Sequence, residues 1–225
     1  MPFRTIVFDL DGTLIDSAAD VGAAVDRVLV DSGLAPLDPA MYPALMGEGG
    51  RVRTRKAFAL RGVELSRDEL SAKVDAFIAH YAASPVASTR PYPGVADTLA
   101  GLAAAGIRLC VCTNKYEASA RDVLARLGLM PPIEDAAGAD SFGVRKPHPG
   151  HILRLLERMN ADPASAIMVG DSIHDVEAAK AAGLPVIAVS WGYTATPPDQ
   201  LGADAVLDRF DRLPDIVRAV AAGRS

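Results

Sequence analysis

Cysteine is nearly missing from this chain. Only Cys110 and Cys112 occur among 225 residues, so no disulfide framework can staple the fold, and a reducing compartment fits this usage. They stand two apart in the apolar run Ile107-Arg108-Leu109-Cys110-Val111-Cys112, which on a strand puts both thiols on one face, a spacing that suits packing better than bridging. Basic tracts are missing too. The 23 Lys and Arg are scattered, 28 Asp and Glu outnumber them, and the net charge of -5 argues against nucleic acid as a partner. No apolar run is long enough to span a bilayer and no signal-peptide pattern opens the chain, which predicts a cytoplasmic protein with no membrane partner. His148, His151 and His174 lack zinc-ligand spacing and are expected at the surface or in caps.

What the chain does have is apolar residues, 50% of the total, enough for a sizeable buried core and against long disorder. Its length suits one α/β core with a smaller accessory domain. Thr5-Ile6-Val7-Phe8, Ile107 to Cys112, Ala166-Ile167-Met168-Val169 and Val186-Ile187-Ala188-Val189 are aliphatic without clean alternation, the mark of strands covered on both faces. Helical patterns run from Val95 to Ala105, Glu117 to Leu127, Pro149 to Met159 and Ile173 to Ala182, with Gly106, Gly128 and Gly183 at stop positions. This rhythm predicts a doubly wound, Rossmann-like α/β fold around a parallel sheet.

From Ser17 to about Ala87 the rhythm breaks into helical patterns alone. Ser17 with Asp20 and Ser66 with Glu69 read as capping boxes, Gly33 and Gly62 as helix stops, and Ser84 to Gly94 as a linker. The expected organisation is a core of residues 1–16 and 88–225, with a helical domain inserted at 17–87.

Chemistry-bearing residues gather at strand ends. Asp9-Leu10-Asp11-Gly12-Thr13 follows the first strand, at the carboxyl edge where open α/β sheets bind ligands. Asp9 and Asp11 can face one ligand, Gly12 allows a sharp turn, and Thr13 offers a donor to an anion; alone, the same residues read as an Asp-Gly turn. Thr113 and Asn114, before Lys115, are candidate donors to phosphate oxygens or simply a strand-to-helix cap. Lys146, between Arg145 and Pro147, can supply the fixed positive charge of phosphoryl transfer, where its bland reading is a surface lysine. Gly170-Asp171-Ser172, with Asp175, adds carboxylates that together with the first pair suit Mg2+.

In this order and spacing the four segments resemble the haloacid dehalogenase superfamily over essentially the whole chain. The resemblance implies Asp9 as a nucleophile that forms an aspartyl-phosphate and Asp11 as general acid/base. It implies phosphate held by Thr113, Asn114 and Lys146, and Mg2+ held by the Asp9 side chain, the Asp11 carbonyl and Asp171, with Asp175 outside them. An Asp at position 11 points to phosphoryl transfer and away from dehalogenation. The insert resembles a small C1-type cap. Met46-Gly47-Glu48-Gly49 and Trp191-Gly192-Tyr193 are similar to the phosphoglycolate phosphatase branch, implying a small phosphorylated metabolite as substrate. Gly47, Glu48, Gly49 and Arg51 are the expected surface toward that substrate. The cluster Arg51, Arg53, Arg55 and Lys56 reads as an attractor for a carboxylated ester or as a solvated helix face. Trp191 and Tyr193 read as entrance or packing residues. A β-phosphoglucomutase-like phosphomutase and a non-catalytic, receiver-type phospho-binding protein are the alternatives, and the chain is expected as monomer or homodimer.

Overall fold

Alternation within short buried strands builds two cores at once. In β1 (Thr5–Phe8) every residue is buried; Ile6 and Phe8 enter one core and Val7 the other. Full burial of side chains of this kind contributes about 1.5–3 kcal/mol each. The computed structural model describes residues 3–223; positions 1, 2, 224 and 225 of the expected core segments lie outside them. β4 (Arg108–Cys112) repeats the alternation, with Leu109 and Val111 on one side and Cys110 and Cys112, both free thiols, on the other. β6 (Ala166–Gly170) and β7 (Val186–Val189) divide likewise.

Two three-residue strands, β5 (Asp135–Ala137) and β8 (Ala205–Leu207), complete a six-stranded sheet of order β5-β4-β1-β6-β7-β8 with every pairing parallel. Neither edge strand was expected from the sequence, because each has only three residues. In register, Phe8 pairs with Val111 and with Val169, so Asp9, Thr113 and Asp171 leave the sheet at one end. Helices α4 (Val95–Ala104), α5 (Glu117–Arg126), α6 (Gly150–Arg158), α7 (Ile173–Ala181) and α8 (Leu213–Ala222) connect or flank these strands. Among the described residues no helix is long and apolar enough to cross a membrane.

Three further helices, α1 (Ala18–Asp31), α2 (Gly50–Ala59) and α3 (Arg67–Ala83), fill the stretch after motif one. The chain enters and leaves them through a two-stranded antiparallel ribbon, β2 (Ile15–Asp16) against β3 (Arg90–Pro91), so part of the expected linker is strand. Gly33 and Gly62 end α1 and α2 in left-handed conformation, as predicted. The Ser66–Glu69 capping box forms at α3: Ser66 Oγ accepts from Glu69 N (3.3 Å) and Glu69 Oε2 from Ser66 N (2.9 Å).

The Ser17–Asp20 box does not form. Ser17 Oγ donates instead to Asp11 Oδ1 (2.5 Å), and the buried Asp20 carboxylate accepts from Ser88 N (2.9 Å), Thr89 N (2.8 Å) and Thr89 Oγ1 (2.7 Å). Those buried donors on the returning chain need an acceptor, and Asp20 is the one at hand.

Candidate active site

Asp9 and Asp11 are both buried at the end of β1. Lys146 Nζ lies 2.8 Å from Asp9 Oδ1 and 2.5 Å from Asp175 Oδ1. Its approach to Asp9 lacks hydrogen-bond geometry, so Asp9 Oδ1 is a buried acceptor without a hydrogen bond. Burial pushes the Asp9 carboxyl up to about 6; the charge on Asp175 adds to this and Lys146 opposes it. Burial also works against the Lys146 ammonium, but Asp175 and Asp9 outweigh it and raise its pKa.

The loop carrying Lys146 stands on His151, which is fully buried on α6 and not at the surface as expected. His151 Nδ1 accepts from Lys146 N (3.2 Å) and Nε2 lies 2.9 Å from Gly138 O, which assigns the neutral ring with its proton on Nε2. His148 caps as expected, its Nδ1 accepting from Gly150 N (3.0 Å). His174 presents an unpartnered Nδ1 beside a second cavity lined also by Glu48, Asn114 and Arg145.

Carboxylate oxygens of Asp9, Asp171 and Asp175 lie within 4.8 Å of one another. Both Asp175 oxygens are engaged: Oδ1 by Lys146, Oδ2 by Asp171 N (3.1 Å), Ser172 N (3.0 Å) and Ser172 Oγ (2.7 Å). Asp171 Oδ2 accepts from Tyr193 N (2.8 Å), and its Oδ1 has only the distant Thr13 hydroxyl at 3.5 Å. Burial, then Asp175 and Asp9, hold the Asp171 carboxyl well above its ordinary range. Three carboxylates therefore share one ammonium, and an all-oxygen set with an orphaned Asp9 Oδ1 fits a small hard cation held by Asp9 and Asp171. Glycines make room for Asp171: a Cβ on Gly12 (φ 90°) would lie 2.5 Å from Asp171 Oδ2, and one on Gly192 2.1 Å from Asp171 Cβ.

Asp11 faces a different set of partners. Lys115 Nζ reaches both its oxygens at 3.0 Å and lies 4.5 Å from the Tyr81 ring centroid. Burial alone would raise the Asp11 carboxyl, yet Lys115, the Ser17 hydroxyl and Arg53 together hold it below its ordinary value. Lys115 was not singled out by the sequence as a site residue, and Arg53 only as one of a cluster of four cations. For Lys115 the signal was its place directly after Thr113 and Asn114 at a strand end. With Asp9, Asp11, Gly47, Gly49, Thr113 and Asn114 these two cations line one small recess.

The other expected residues fall as follows. Gly47 and Gly49 reach the recess, both with positive φ (90° and 82°). Arg51 does not: its guanidinium bonds Ser71 Oγ (3.1 Å) and Arg67 O (3.5 Å) on α3. Two residues on a helix are about 200° apart, so Arg53 points where Arg51 cannot. Glu48 pairs with Lys56, and Arg55 is exposed. Asn114 spends its amide on Gly47 O and Lys146 O (both 3.2 Å), bracing two loops, so it is not a free donor to an anion. Thr113 Oγ1 accepts from Lys115 N (3.2 Å), which leaves its hydroxyl hydrogen for another acceptor. Trp191 packs on Tyr92 and Phe210, with centroids at 5.8 and 6.3 Å. Tyr193 Oη accepts from Ser17 N (2.7 Å) and Ala18 N (3.1 Å) and donates to Asp16 Oδ1 (2.7 Å), pinning the start of α1.

Known proteins are similar to this chain. Residues 6–189 match a family profile described as haloacid dehalogenase-like hydrolase. A phosphoglycolate phosphatase of Rhodospirillum rubrum is 44% identical over 216 residues, covering 94% of this chain and 90% of the relative. One from Agrobacterium fabrum is 43% identical, covering 92% and 89%. The crystal structure of a predicted phosphoglycolate phosphatase from Haemophilus somnus superposes with a TM-score of 0.88 at 30% identity, covering 96% of this chain and 99% of that one. CbbY from Rhodobacter sphaeroides, solved with xylulose-(1,5)bisphosphate, superposes at 0.80 with 26% identity, covering 94% and 96%. The chain belongs to the haloacid dehalogenase-like hydrolases and is a phosphatase among them.

Proposed function

We propose that this phosphatase is magnesium-dependent and hydrolyses 2-phosphoglycolate, or a small monoester close to it, through an aspartyl-phosphate on Asp9. The observation that carries the reading is the split environment of one carboxylate pair, Asp9 beside Lys146 and Asp11 beside Lys115, in one small recess. The relatives named phosphoglycolate phosphatase, at up to 44% identity, support the substrate.

Asp9 and Asp171 would hold Mg2+ together with the Asp11 carbonyl, while Asp175 fixes Lys146 and the turn after β6. The ion, when bound, supplies positive charge that favours ionised Asp9 and gathers phosphate oxygens. Asp9 Oδ attacks phosphorus; Lys146 and the Thr113 hydroxyl hold the phosphoryl oxygens. Asp11 is an anion while Lys115 and Ser17 hold it. Its burial favours the protonated form, and a proton it takes from water as the ester binds is then given to the leaving oxygen. The resulting carboxylate then takes a proton from the water that splits the aspartyl-phosphate.

Residues 17–87 act in this reading as the cap and 1–16 with 88–225 as the core, hinged at the β2–β3 ribbon and closing Gly47 and Gly49 over the recess to exclude water. The test is inorganic phosphate release from 2-phosphoglycolate, sugar phosphates, nucleotides and pyrophosphate, with and without Mg2+. Release from 2-phosphoglycolate should need Mg2+ and fall at least about 1,000-fold in Asp9→Asn. No Asp9-dependent release from any ester refutes the reading, and a requirement for a bisphosphate activator replaces it with the mutase.

A further inference from the structure

Arg53 is a buried cation without an anion of its own. It is 6% exposed; its Nε donates to Leu45 O (3.2 Å) and its guanidinium carbon lies 5.3 Å from the Phe77 ring centroid. Among the described residues that is its only side-chain hydrogen bond, so both Nη groups are unspent, and it forms no ion pair there. A desolvated guanidinium with most of its donors idle is costly, and such groups are ordinarily paired.

Asp11 stabilises the Arg53 charge through space but accepts no hydrogen bond from it. Lys115 holds both of its oxygens at 3.0 Å, and Ser17 donates to Oδ1 at 2.5 Å. Lys115 is thereby occupied, whereas Arg53 opens onto the recess that contains Asp9 and Asp11. Phe77 stacks against the guanidinium and Leu45 fixes its inner edge, so the fork is held in one orientation with its outer face free.

We propose that Arg53 binds a carboxylate on the leaving group of the substrate and so selects an acid ester over a neutral ester of the same size. The proposal rests on the phosphatase reading of the same site. With phosphorus at Asp9 and the leaving oxygen toward Asp11, the remainder of a short leaving group lies between those carboxylates and α2. A carboxylate there meets the two free Nη groups side by side, the geometry a planar fork favours.

The test compares 2-phosphoglycolate with 2-hydroxyethyl phosphate, which lacks the carboxylate, on full-length enzyme with Mg2+. For Arg53→Met, kcat/KM for 2-phosphoglycolate should fall about 10- to 100-fold more than kcat/KM for the neutral ester, a ratio in which any change acting through Asp11 cancels. Arg53→Lys should regain part of the preference. Should the Met variant unfold, Arg53→Lys carries the test by itself: its preference for the acid ester falls about tenfold, or the proposal is wrong. An equal loss on both esters, or an unchanged preference, overturns the role of Arg53 and leaves the phosphatase reading intact. A wild-type enzyme that turns over neither ester removes the substrate reading, and this inference with it.

Discussion

Lys146 is positioned by a histidine that must stay neutral. His151 uses Nδ1 to accept from Lys146 N and Nε2 to reach Gly138 O, so a second proton would sit between its ring and an N–H. Burial first, then the Lys146 charge, push its pKa down to about 4; Arg158 acts in the same direction, and the Gly138 carbonyl and Asp140 oppose it. The gap from the ordinary 6.5 to about 4 corresponds to on the order of 3 kcal/mol. Because the folded value lies below the unfolded one, the unfolded chain takes up the proton first. The contribution is therefore complete above about pH 6.5 and disappears as pH falls toward 4. His151→Gln keeps a donor and an acceptor and removes the titration. Urea unfolding of both proteins between pH 7 and pH 4 should show the wild type losing on the order of 3 kcal/mol relative to the variant. Asp9, raised to about 6, is common to both and cancels in the difference. A wild-type-to-variant difference that stays constant with pH would refute the assignment of a buried neutral ring.

Two other substitutions probe the hinge and the carboxylate cluster. Asp20→Ala strips Ser88 and Thr89 of their acceptor and should cost about 3 kcal/mol, read as a fall in Tm, with Asp20→Asn recovering part. Gly192→Ala places a methyl 2.1 Å from Asp171 Cβ, so the carboxylate must move, and the Mg2+ concentration for half-maximal activity should rise at least about tenfold.

The strand ends were legible because their signal is local. A run such as Thr5-Ile6-Val7-Phe8 marks a strand covered on both sides, and polar residues directly after it must lie at the carboxyl edge. The structure accordingly brings Asp9, Asp11, Lys146, Asp171 and Asp175 together. Arg53 was legible only as one of a cluster of four cations. α2 reads Gly-Arg-Val-Arg-Thr-Arg-Lys, with cations around the helix, and only packing against Phe77 and the core decides which one is buried. His151 left a readable trace: it shares its helix face with Ile152, Leu155 and Leu156, all fully buried, yet the adjacent His148 and Pro149 suggest a cap. The edge strands β5 and β8 left none, since three residues are too few to carry a periodicity.

The ribbon joining Ile15–Asp16 to Arg90–Pro91 has a consequence for how such a protein can change over generations. Everything between Asp16 and Arg90 leaves and returns through one doorway two residues wide, sealed by Asp20 on one side and Tyr193 on the other. A segment tethered in this way can be lengthened, rebuilt or traded for another without rethreading the sheet, as insertions at closely spaced ends generally permit. In the proposed reading, selectivity can then be inherited as a cassette, while the carboxylates at the strand ends descend with the sheet beneath it.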